Sequence, residues 1–397
     1  MRPLHLVLTA ALAAAYTTAT LAQQAPAPAI PTSPTADVAT PAPAAAATEE
    51  PSPYDRIWNR FSQVYRNDMN PAIQQVLFTG RFQHDFAMLD ADEGEHEESN
   101  IRRVRLGPRI RFLRDYLFHA EVELNPQERD PLYVRFTDLY VQWSKSDAVT
   151  VTAGKQNIPF TQEGATSSKE LLTIDRSNLA NNIWFSQEYM PGISVSGTQA
   201  PWVYRVGAYS SGAANREVGE FSGGYFALGL IGYDFGEALG ADEALLTGNY
   251  VYQQPDADNS FTQRFEQIAS VHFRLALPRW GVRSELSTAS GYLGQSDVQA
   301  MMVMPFLNLT NELQLVGRYT LVDSAGPNGL RLATYENRVV GGRGDRYDEL
   351  YVGANYYFYG HKLKLQSGLQ WGNMDDEAAD GGAYSGASWV TGLRVSW

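Results

Sequence analysis

The most distinctive chemistry in this sequence is a row of arginines in the run 101–112. Arg103, Arg105, Arg109 and Arg111 recur at even spacing, so an extended strand would present their four guanidiniums on one face. A guanidinium is permanently charged and donates hydrogen bonds in a fork that matches anionic oxygens. Rows of arginine or lysine are one way in which pores select anions. The spacing therefore predicts an anion-binding ladder on one wall.

Further arginines occupy the polar face of other segments with a period of two. These additional candidates for the lining are Arg81, Arg205, Arg274, Arg283, Arg318 and Arg394. The same face carries acids, which are Asp85, Glu121, Glu123, Asp138, Glu266 and Glu285. Two interpretations follow from this mixture. Either the arginines contact passing anions, which is our working hypothesis, or they pair with these acids and only hydrate the wall.

Strands must position these side chains, because apolar and polar residues alternate through most of the chain after residue 73. Phe78 and Phe82, for example, alternate with Arg81 and Gln83. We predict 16 strands, at 74–86, 101–112, 115–125, 132–143, 148–157, 191–198, 202–210, 224–235, 244–253, 264–276, 281–290, 297–309, 311–322, 347–358, 361–372 and 386–397. Most have about the ten residues that a tilted membrane strand needs. The predicted fold class is all-β, a 16-stranded antiparallel transmembrane β-barrel with a water-filled lumen.

The connections between these strands support a barrel over a soluble sheet, which alternates in the same way. Long links, at 87–100, 158–190 and 323–347, alternate with turns of a few residues, as outer-membrane barrels require. Aromatic residues also collect near the tight turns, where a membrane interface favours them. They are Phe112, Tyr116, Trp143, Trp202, Phe235, Trp280, Phe358 and Trp397. A soluble sheet in which aromatics merely flank turns is the alternative.

Composition and the N-terminus bound the class of protein. The 397 residues include no cysteine, which excludes disulfides and thiolate chemistry, and the net charge of −13 argues against binding nucleic acid. Residues 1–22 have the layout of a secretory signal peptide. Residues 23–53 are rich in Ala and Pro, which predicts a disordered periplasmic tether. A short segment, 54–72, precedes the barrel at 73–397, and the predicted location is the bacterial outer membrane.

The longest link inside the barrel, 158–190, is a candidate for a constriction. Structureless connections of that length usually serve a function. It contains Lys169, Asp175 and Arg176, charged residues that an inward-folded loop would bring near the ladder. We therefore predict that this third loop folds into the lumen. An external cap is the alternative on length alone.

Several runs of the sequence resemble the phosphate-selective porins (porin O and P) of Gram-negative outer membranes. The resemblance rests on "IRRVRLGPRIRFLRDYLFHAEVEL", "FTDLYVQW", "VTAGKQNIPFTQEGATSSKELLTIDRSN" and "YMPGISVSG", with later pieces "GANYYFYGHKLKLQSGLQW" and "LRVSW". It implies a 16-stranded, homotrimeric channel in which an inward third loop and an arginine ladder draw anions through. Arg103, Arg105, Arg109 and Arg111 would form that ladder. Lys155 and Lys169 would lie near the start of the constricting loop.

The charges also depart from that family's pattern. Members that concentrate phosphate carry lysine clusters, whereas this chain has five lysines and 26 arginines. Two predicted loops, "LDADEGEHEES" and "NMDDEAADGG", are acidic and would repel an approaching anion. The main prediction is passive diffusion of small anionic solutes, phosphate-like or polyphosphate-like. A general or weakly selective porin with facing basic and acidic walls is the alternative.

Enzymatic chemistry has little support in the sequence. His119 and His272 fall on the inward face, where either could serve a serine nucleophile, as in an outer-membrane lipase. No nucleophile elbow, phosphate loop or paired-histidine metal motif accompanies them. We therefore predict a non-enzymatic protein without a cofactor or metal, whose partners are solutes, outer-membrane lipid and its own copies. An all-β outer-membrane enzyme or binding protein is the remaining alternative.

Overall fold

Residues 52–128, 130–183, 189–212, 224–259 and 264–397 are described by a computed structural model of the chain. The predicted signal peptide at 1–22 and the predicted tether as far as residue 51 lie outside the described residues. None of the helices in the described chain is long and apolar enough to cross a bilayer.

Exposure alternates along the strands in the sense opposite to that of a water-soluble protein. On one strand Leu286 is 52% exposed, while its neighbours Glu285 and Ser287 are 2% and 7% exposed. Apolar side chains therefore cover the outside, and polar and charged side chains are buried within. This arrangement is stable where hydrocarbon surrounds the sheet and every backbone group is paired within it. The alternation predicted from sequence is confirmed.

The strands form one closed antiparallel barrel. The described chain opens with α1 (Pro53–Ser62) and β1 (Gln63–Arg66). The 16 barrel strands are β2 (Ile73–Ala91), β3 (Gly94–Phe112), β4 (Tyr116–Leu124), β5 (Tyr133–Ser146), β6 (Val149–Asn157), β7 (Tyr189–Gln199), β8 (Trp202–Ser210), β9 (Tyr225–Asp234), β10 (Glu243–Gln253), β11 (Phe265–Ala276), β12 (Trp280–Gly291), β13 (Val298–Asn308), β14 (Leu313–Ser324), β17 (Arg346–Tyr359), β18 (Leu363–Asp375) and β19 (Tyr384–Ser396). Each pairs with its neighbour along the chain, and β19 pairs with β2 to close the sheet. The predicted 16-stranded β-barrel is confirmed.

Short elements lie in the connections. They are α2 (Gln162–Ala165), α3 (Asn178–Ile183), α4 (Gly236–Leu239), the two-residue strands β15 (Leu330–Arg331) and β16 (Arg343–Gly344), and a 3-10 helix at Glu336–Arg338. The connection that holds α2 and α3 spans 158–188 and is called the third loop below. The connection that holds β15 and β16 spans 325–345 and is called the seventh loop.

The two ends of the barrel differ as predicted. One end, the turn end, carries short connections such as 113–115, 147–148 and 200–201, whereas the third and seventh loops leave the other end, the loop end. At the turn end Trp202 and Trp280 are each 47% exposed on the outer surface. Half-exposed rings at one level are expected where ring bodies meet lipid and polar edges meet headgroups.

The first predicted long link is wrong. Residues 87–100 belong to β2 and β3, which stay paired as far as Ala91 and Gly94 and turn at 92–93. These residues were predicted to form a loop because the acidic run lacks an apolar face. Where a strand continues beyond the bilayer, however, both of its faces tolerate polar residues. Ala87 and Leu89 on this extension are buried against the seventh loop.

At the turn end, the N-terminal segment extends the β19–β2 pairing that closes the barrel. The last ladder pair of β19 and β2 is Ser396 with Arg81, after which Trp397 and Gly80 exchange two backbone hydrogen bonds of 3.1 Å. The next part of the same edge of β2 pairs with β1, for example Leu77 with Gln63. The predicted short segment at 54–72 thus contains the helix α1 and the strand β1.

Candidate functional site

The predicted lining arginines fall into two groups by burial. Arg81, Arg103, Arg105, Arg318 and Arg394 are each less than 10% exposed. The remaining five, Arg109, Arg111, Arg205, Arg274 and Arg283, are half-buried or exposed. The second group lies toward the turn end of β3, β8, β11 and β12.

Carboxylates hold most of the buried group. Arg81 Nη2 lies 2.9 Å from Glu121 Oε1, and Arg394 pairs with Asp85. Arg105 donates to Glu123 over 2.9 and 3.0 Å, and its guanidinium lies 5.1 Å from the centre of the Tyr189 ring. Buried charges of this kind need partners, since desolvation is costly for each ion alone. The pairing interpretation therefore describes these arginines.

Other acids named above have different surroundings. Glu285 accepts hydrogen bonds from Ser270 and Ser287, at 2.7 and 2.8 Å, and from the backbone of Gln162. Asp138 lies opposite Glu121 on the neighbouring strand. Acids thus form part of the wall on β4, β5 and β12, on or beside the strands that carry the arginines.

The ladder on β3 is divided between its two ends. Arg103 donates to Gln83 Oε1 over 3.0 Å, and Arg105 is paired as described. Arg109 lies opposite His119 in the register with β4, and Arg111 is exposed near the turn end. Only the turn-end half of the predicted ladder therefore presents guanidiniums at an accessible surface.

Two of the half-buried arginines are cross-strand neighbours. Arg274 on β11 faces Arg283 on β12 in the ladder, and Arg274 pairs with Glu243 on the other side. The Nε atoms of both arginines are buried without a hydrogen-bond partner. One acid for two adjacent guanidiniums leaves this part of the wall positive.

The third loop packs against the lumen face of the distant strands. Lys364 Nζ donates to Leu171 O over 2.7 Å, and Asn355 Nδ2 donates to Leu172 O over 2.8 Å. Arg318 Nη1 reaches Asp175 O at 2.9 Å. Successive carbonyls of the loop are thus held by donors from β14, β17 and β18, on the side opposite its own strands.

The two strands that close the barrel, β2 and β19, also hold the third loop. Arg81 Nη1 donates to Ser168 Oγ over 2.8 Å, and Gln83 Nε2 donates to Ser168 O over 2.9 Å. Arg394 Nη2 lies 3.3 Å from Ile174 O. Arg81, Arg318 and Arg394, which we listed as lining candidates, therefore have a loop-binding role.

The loop is also organised from within by Glu163. Its Oε2 accepts from the backbone of Ser177 over 2.6 Å, and its Oε1 accepts from Thr173 over 3.2 Å. Arg176 Nε donates to Glu163 O over 2.8 Å. The sequence prediction missed Glu163, although it lies in the quoted run "PFTQEGATSSK". Arg176, which was predicted near the constriction, stabilises the loop itself.

The other predicted loop residues are spread over several places. Lys155 is buried on β6, and Lys169 Nζ lies 3.5 Å from Trp397 O at the seam. Asp175 pairs with Arg102 at 3.4 Å. Burial alone would raise the pKa of Asp175, but Arg102 and the other nearby arginines lower it below its ordinary value. Asp175 therefore remains a carboxylate among cations.

Arg102 was missed because a strict period of two places it on the face opposite to Arg103 and Arg105. The register between β2 and β3 shifts at Gln83 and His84, so that His84 faces Ile101 while Gln83 faces Arg103. Arg102 is the extra residue of this bulge, which turns its side chain toward Asp175. A period of two cannot reveal such an inserted residue.

The seventh loop was also missed as an inward segment. Tyr335 Oη donates to Asp85 Oδ2 over 2.7 Å, and Tyr347 Oη donates to both carboxylate oxygens of Glu336 at 2.8 and 2.9 Å. Burial, followed by the neighbouring Glu349 carboxylate, raises the pKa of Glu336 to about 7. Leu330 and Leu332 are buried in this loop, an apolar signal that the sequence did contain.

The two inward loops meet over a small cavity. Asp175 and Arg176 line it from the third loop, Tyr335 and Glu336 line it from the seventh loop, and Arg318 lines it from the wall. The cavity contains both charge signs within one small space. The histidines considered for catalysis lie elsewhere, with His119 3.3 Å from Tyr140 Oη and His272 3.1 Å from Asn249 Nδ2.

Comparison with known proteins supports the resemblance seen in the sequence. Residues 76–262 match the family described as phosphate-selective porin O and P. No curated protein has a matching sequence. The fold is similar to solved structures at low sequence identity.

Three examples, each with a TM-score above 0.5, illustrate this likeness. An anion-selective porin from Comamonas acidovorans has 13% identity and a TM-score of 0.57, covering 81% of this chain and 99% of its own. OprB of Pseudomonas putida, in a high-pH structure, has 10% identity and a TM-score of 0.58, covering 81% and 94%. The outer membrane channel DcaP of Acinetobacter baumannii has 13% identity and a TM-score of 0.53, covering 84% and 99%. At such identity the likeness shows a shared barrel fold.

Proposed function

We propose that the chain, a porin-type β-barrel of the bacterial outer membrane, conducts small anionic solutes by passive diffusion. Its residues 76–262 match the phosphate-selective porin O and P family. The family and the fold indicate a channel rather than an enzyme. Phosphate and polyphosphate are the solutes that the family match favours. The related fold of an anion-selective porin is consistent with that preference.

The observation that carries this proposal is the half-buried to exposed basic lining toward the turn end. Arg109, Arg111, Arg205 and Arg283 lie on three strands spread around the barrel, and they are less buried than the loop-binding arginines. Guanidiniums around a water-filled lumen attract anions and repel cations. We therefore assign the selective step to these four residues rather than to the whole predicted row.

The third loop supplies the narrow part of the proposed path. The loop leaves β6 and β7, and donors such as Lys364 on β18 and Gln83 on β2 hold it on the far side of the barrel, so that it crosses the lumen. A segment held in this way reduces the open cross-section beside it. The loop would then bring each solute close to the arginines of the wall.

A weakly selective channel is the second candidate, and the paired walls favour it. Glu121, Asp138 and Glu285 are buried on β4, β5 and β12, where acids and arginines occur together. Opposed charges produce a transverse field that orients zwitterions and dipolar solutes. Such a channel would pass cations and anions at similar rates.

Planar-bilayer recording of the purified full-length protein separates the two candidates. Under a potassium chloride gradient, an anion channel has a reversal potential displaced toward the chloride equilibrium value. A reversal potential near zero would reject the anion proposal and leave the second candidate. Absence of any conductance, with the barrel shown to be folded by its heat-dependent gel mobility, would reject both.

The assembly is also a proposal. The family resemblance favours a homotrimer, and mass measurement of the detergent complex by light scattering tests it. A monomeric mass would reject the trimer proposal and leave the channel proposal unchanged.

A further inference from the structure

The N-terminal helix α1 is fixed to the turn-end rim of the barrel by its aromatic residues. Trp58 Nε1 donates to Ser396 O over 2.7 Å, the Tyr54 ring stacks on Tyr359 at 5.3 Å, and Phe61 meets Trp397 edge-on at 5.2 Å. Ser52 caps the helix, accepting from the backbone of Asp55 over 3.1 Å. The helix therefore has a defined position on the barrel.

The apolar stripe of α1 is wider than the surface that the barrel covers. Tyr54, Ile57, Trp58 and Phe61 recur at spacings of three and four and share one face. Ile57 is 60% exposed and Phe61 is 58% exposed, and Val64 on the adjoining β1 is similarly exposed. This rim therefore presents large apolar side chains that no described residue covers.

The contact with Trp397 fixes the depth of this stripe. The Trp397 ring packs on the outward face of β2, beside Phe78 at 6.4 Å and over Gly80. That is the lipid-facing surface, and Trp202 and Trp280 mark the same end of the barrel. Aromatic residues at such a rim lie at the boundary between hydrocarbon and headgroups. The exposed part of α1 is thus continuous with the lipid-facing belt.

The charge of the segment is complementary to an anionic lipid surface. Residues 53–70 contain three arginines and two aspartates, within a chain whose net charge is −13. Asp55 accepts hydrogen bonds from Tyr359 and Ser52, and Asp68 forms an ion pair with Arg66 at 3.2 Å. Arg60 is exposed at the flank of the apolar stripe, where a long cation reaches lipid phosphates while its stem stays in the interface.

We propose that α1 is an interfacial anchor that inserts Ile57 and Phe61 into the lipid leaflet at the turn end and places Arg60 at the phosphates of anionic phospholipids. Helices with one apolar face and flanking basic residues lie in the plane of the interface in this way. The anchor holds the chain that precedes the barrel close to the bilayer surface. It does not depend on which solutes cross the lumen.

The natural lack of cysteine makes the test direct. The full-length variant Ile57→Cys, carrying an environment-sensitive dye, is placed in nanodiscs that contain phosphatidylglycerol and phosphatidylcholine. We expect blue-shifted emission that brominated lipids quench. The matched control is Asn59→Cys, which lies on the opposite face of α1 and should remain water-like and unquenched.

The results separate lipid from other occupants of this surface. Blue-shifted emission at position 57 without lipid quenching would mean that protein, such as a second copy, covers the stripe, and it would overturn the proposal. Emission at position 57 equal to that at position 59 would overturn it as well. Adding Arg60→Ala should lower the preference for brominated phosphatidylglycerol over brominated phosphatidylcholine about five-fold. An unchanged preference would overturn the phosphate contact.

Discussion

Arg318 on β14 and Glu163 in the third loop form a buried ion pair of 3.4 Å, although 155 residues separate them in the chain. The same guanidinium donates to Glu349 over 2.7 Å on the adjacent strand. One wall residue therefore neutralises an acid of its own wall and an acid of the loop. The position of the loop depends on a charge balance that no local sequence pattern contains.

Replacing Arg318 should release the loop and weaken the barrel. Arg318→Gln leaves two buried carboxylates without their cation, and we expect a loss of about 3–5 kcal/mol in the free energy of unfolding. Denaturant titration followed by gel mobility measures it. The control is Arg338→Gln, whose pair with Glu98 is half exposed and should contribute about 0–1 kcal/mol. Equal losses in the two variants would contradict the assigned role.

Removing the middle of the third loop should raise single-channel conductance. The deletion of residues 166–178 takes away most of the carbonyls that Lys364, Asn355 and Arg394 hold, so the lumen widens. The point variant Lys364→Met should raise conductance less, because it loosens the loop without removing it. Deleting the exposed loop-end residues 378–380 is the control. Unchanged conductance in the first variant would count against a constriction.

Reversing charge at the accessible end of the ladder should change ion selectivity. Arg109→Glu combined with Arg111→Glu is expected to move the reversal potential toward the cation value, since we propose that these residues select anions. Arg105 is a poor choice for this test because its replacement would remove one of the two cations, Arg105 and Arg135, that pair with the half-buried Glu123. Arg279→Glu makes the same type of charge change in an exposed turn, and it should leave selectivity unaltered. If the double variant matches this control, the accessible arginines do not select ions.

Docking of the seventh loop should weaken as pH rises toward neutrality. The pKa of Glu336 is raised from its ordinary value of 4.5 to about 7, first by burial and then by Glu349. Between those two values the folded chain holds a proton that the unfolded chain has lost, so stability falls as pH increases. Limited trypsin cleavage at Arg338, divided at each pH by the rate on an unfolded substrate because trypsin itself is slower in acid, should therefore be faster at about pH 8 than at about pH 5. Glu336→Gln should remove this difference, and a difference that persists would show that another group titrates.

The strands could be predicted from the sequence because the information is local. Each crossing segment shows one face to lipid and one to water, so a period of two appears within about ten residues. The inward face of β3 with Arg103 and Arg105, the tight turns and the aromatic rim all follow from that rule. The family resemblance of the quoted runs, which the family match over residues 76–262 supports, then indicated a porin-type channel.

Partners across the lumen could not be predicted in this way. Arg81 meets Glu121 two strands away, and Tyr335 meets Asp85 from a connection 250 residues distant. The bulge that turns Arg102 inward and the extension of β2 and β3 at 87–100 also left no periodic signal.

The sequence by itself determined a barrel of 16 strands and which face of each strand is polar, because the contrast between hydrocarbon and water acts on every residue separately. Only the tertiary structure decided which arginines bind the inward loops and which remain accessible to a solute. The reason is physical: a buried charge must find its partner in space, and the closure of the sheet, rather than the order of residues, determines which acid or carbonyl lies within reach.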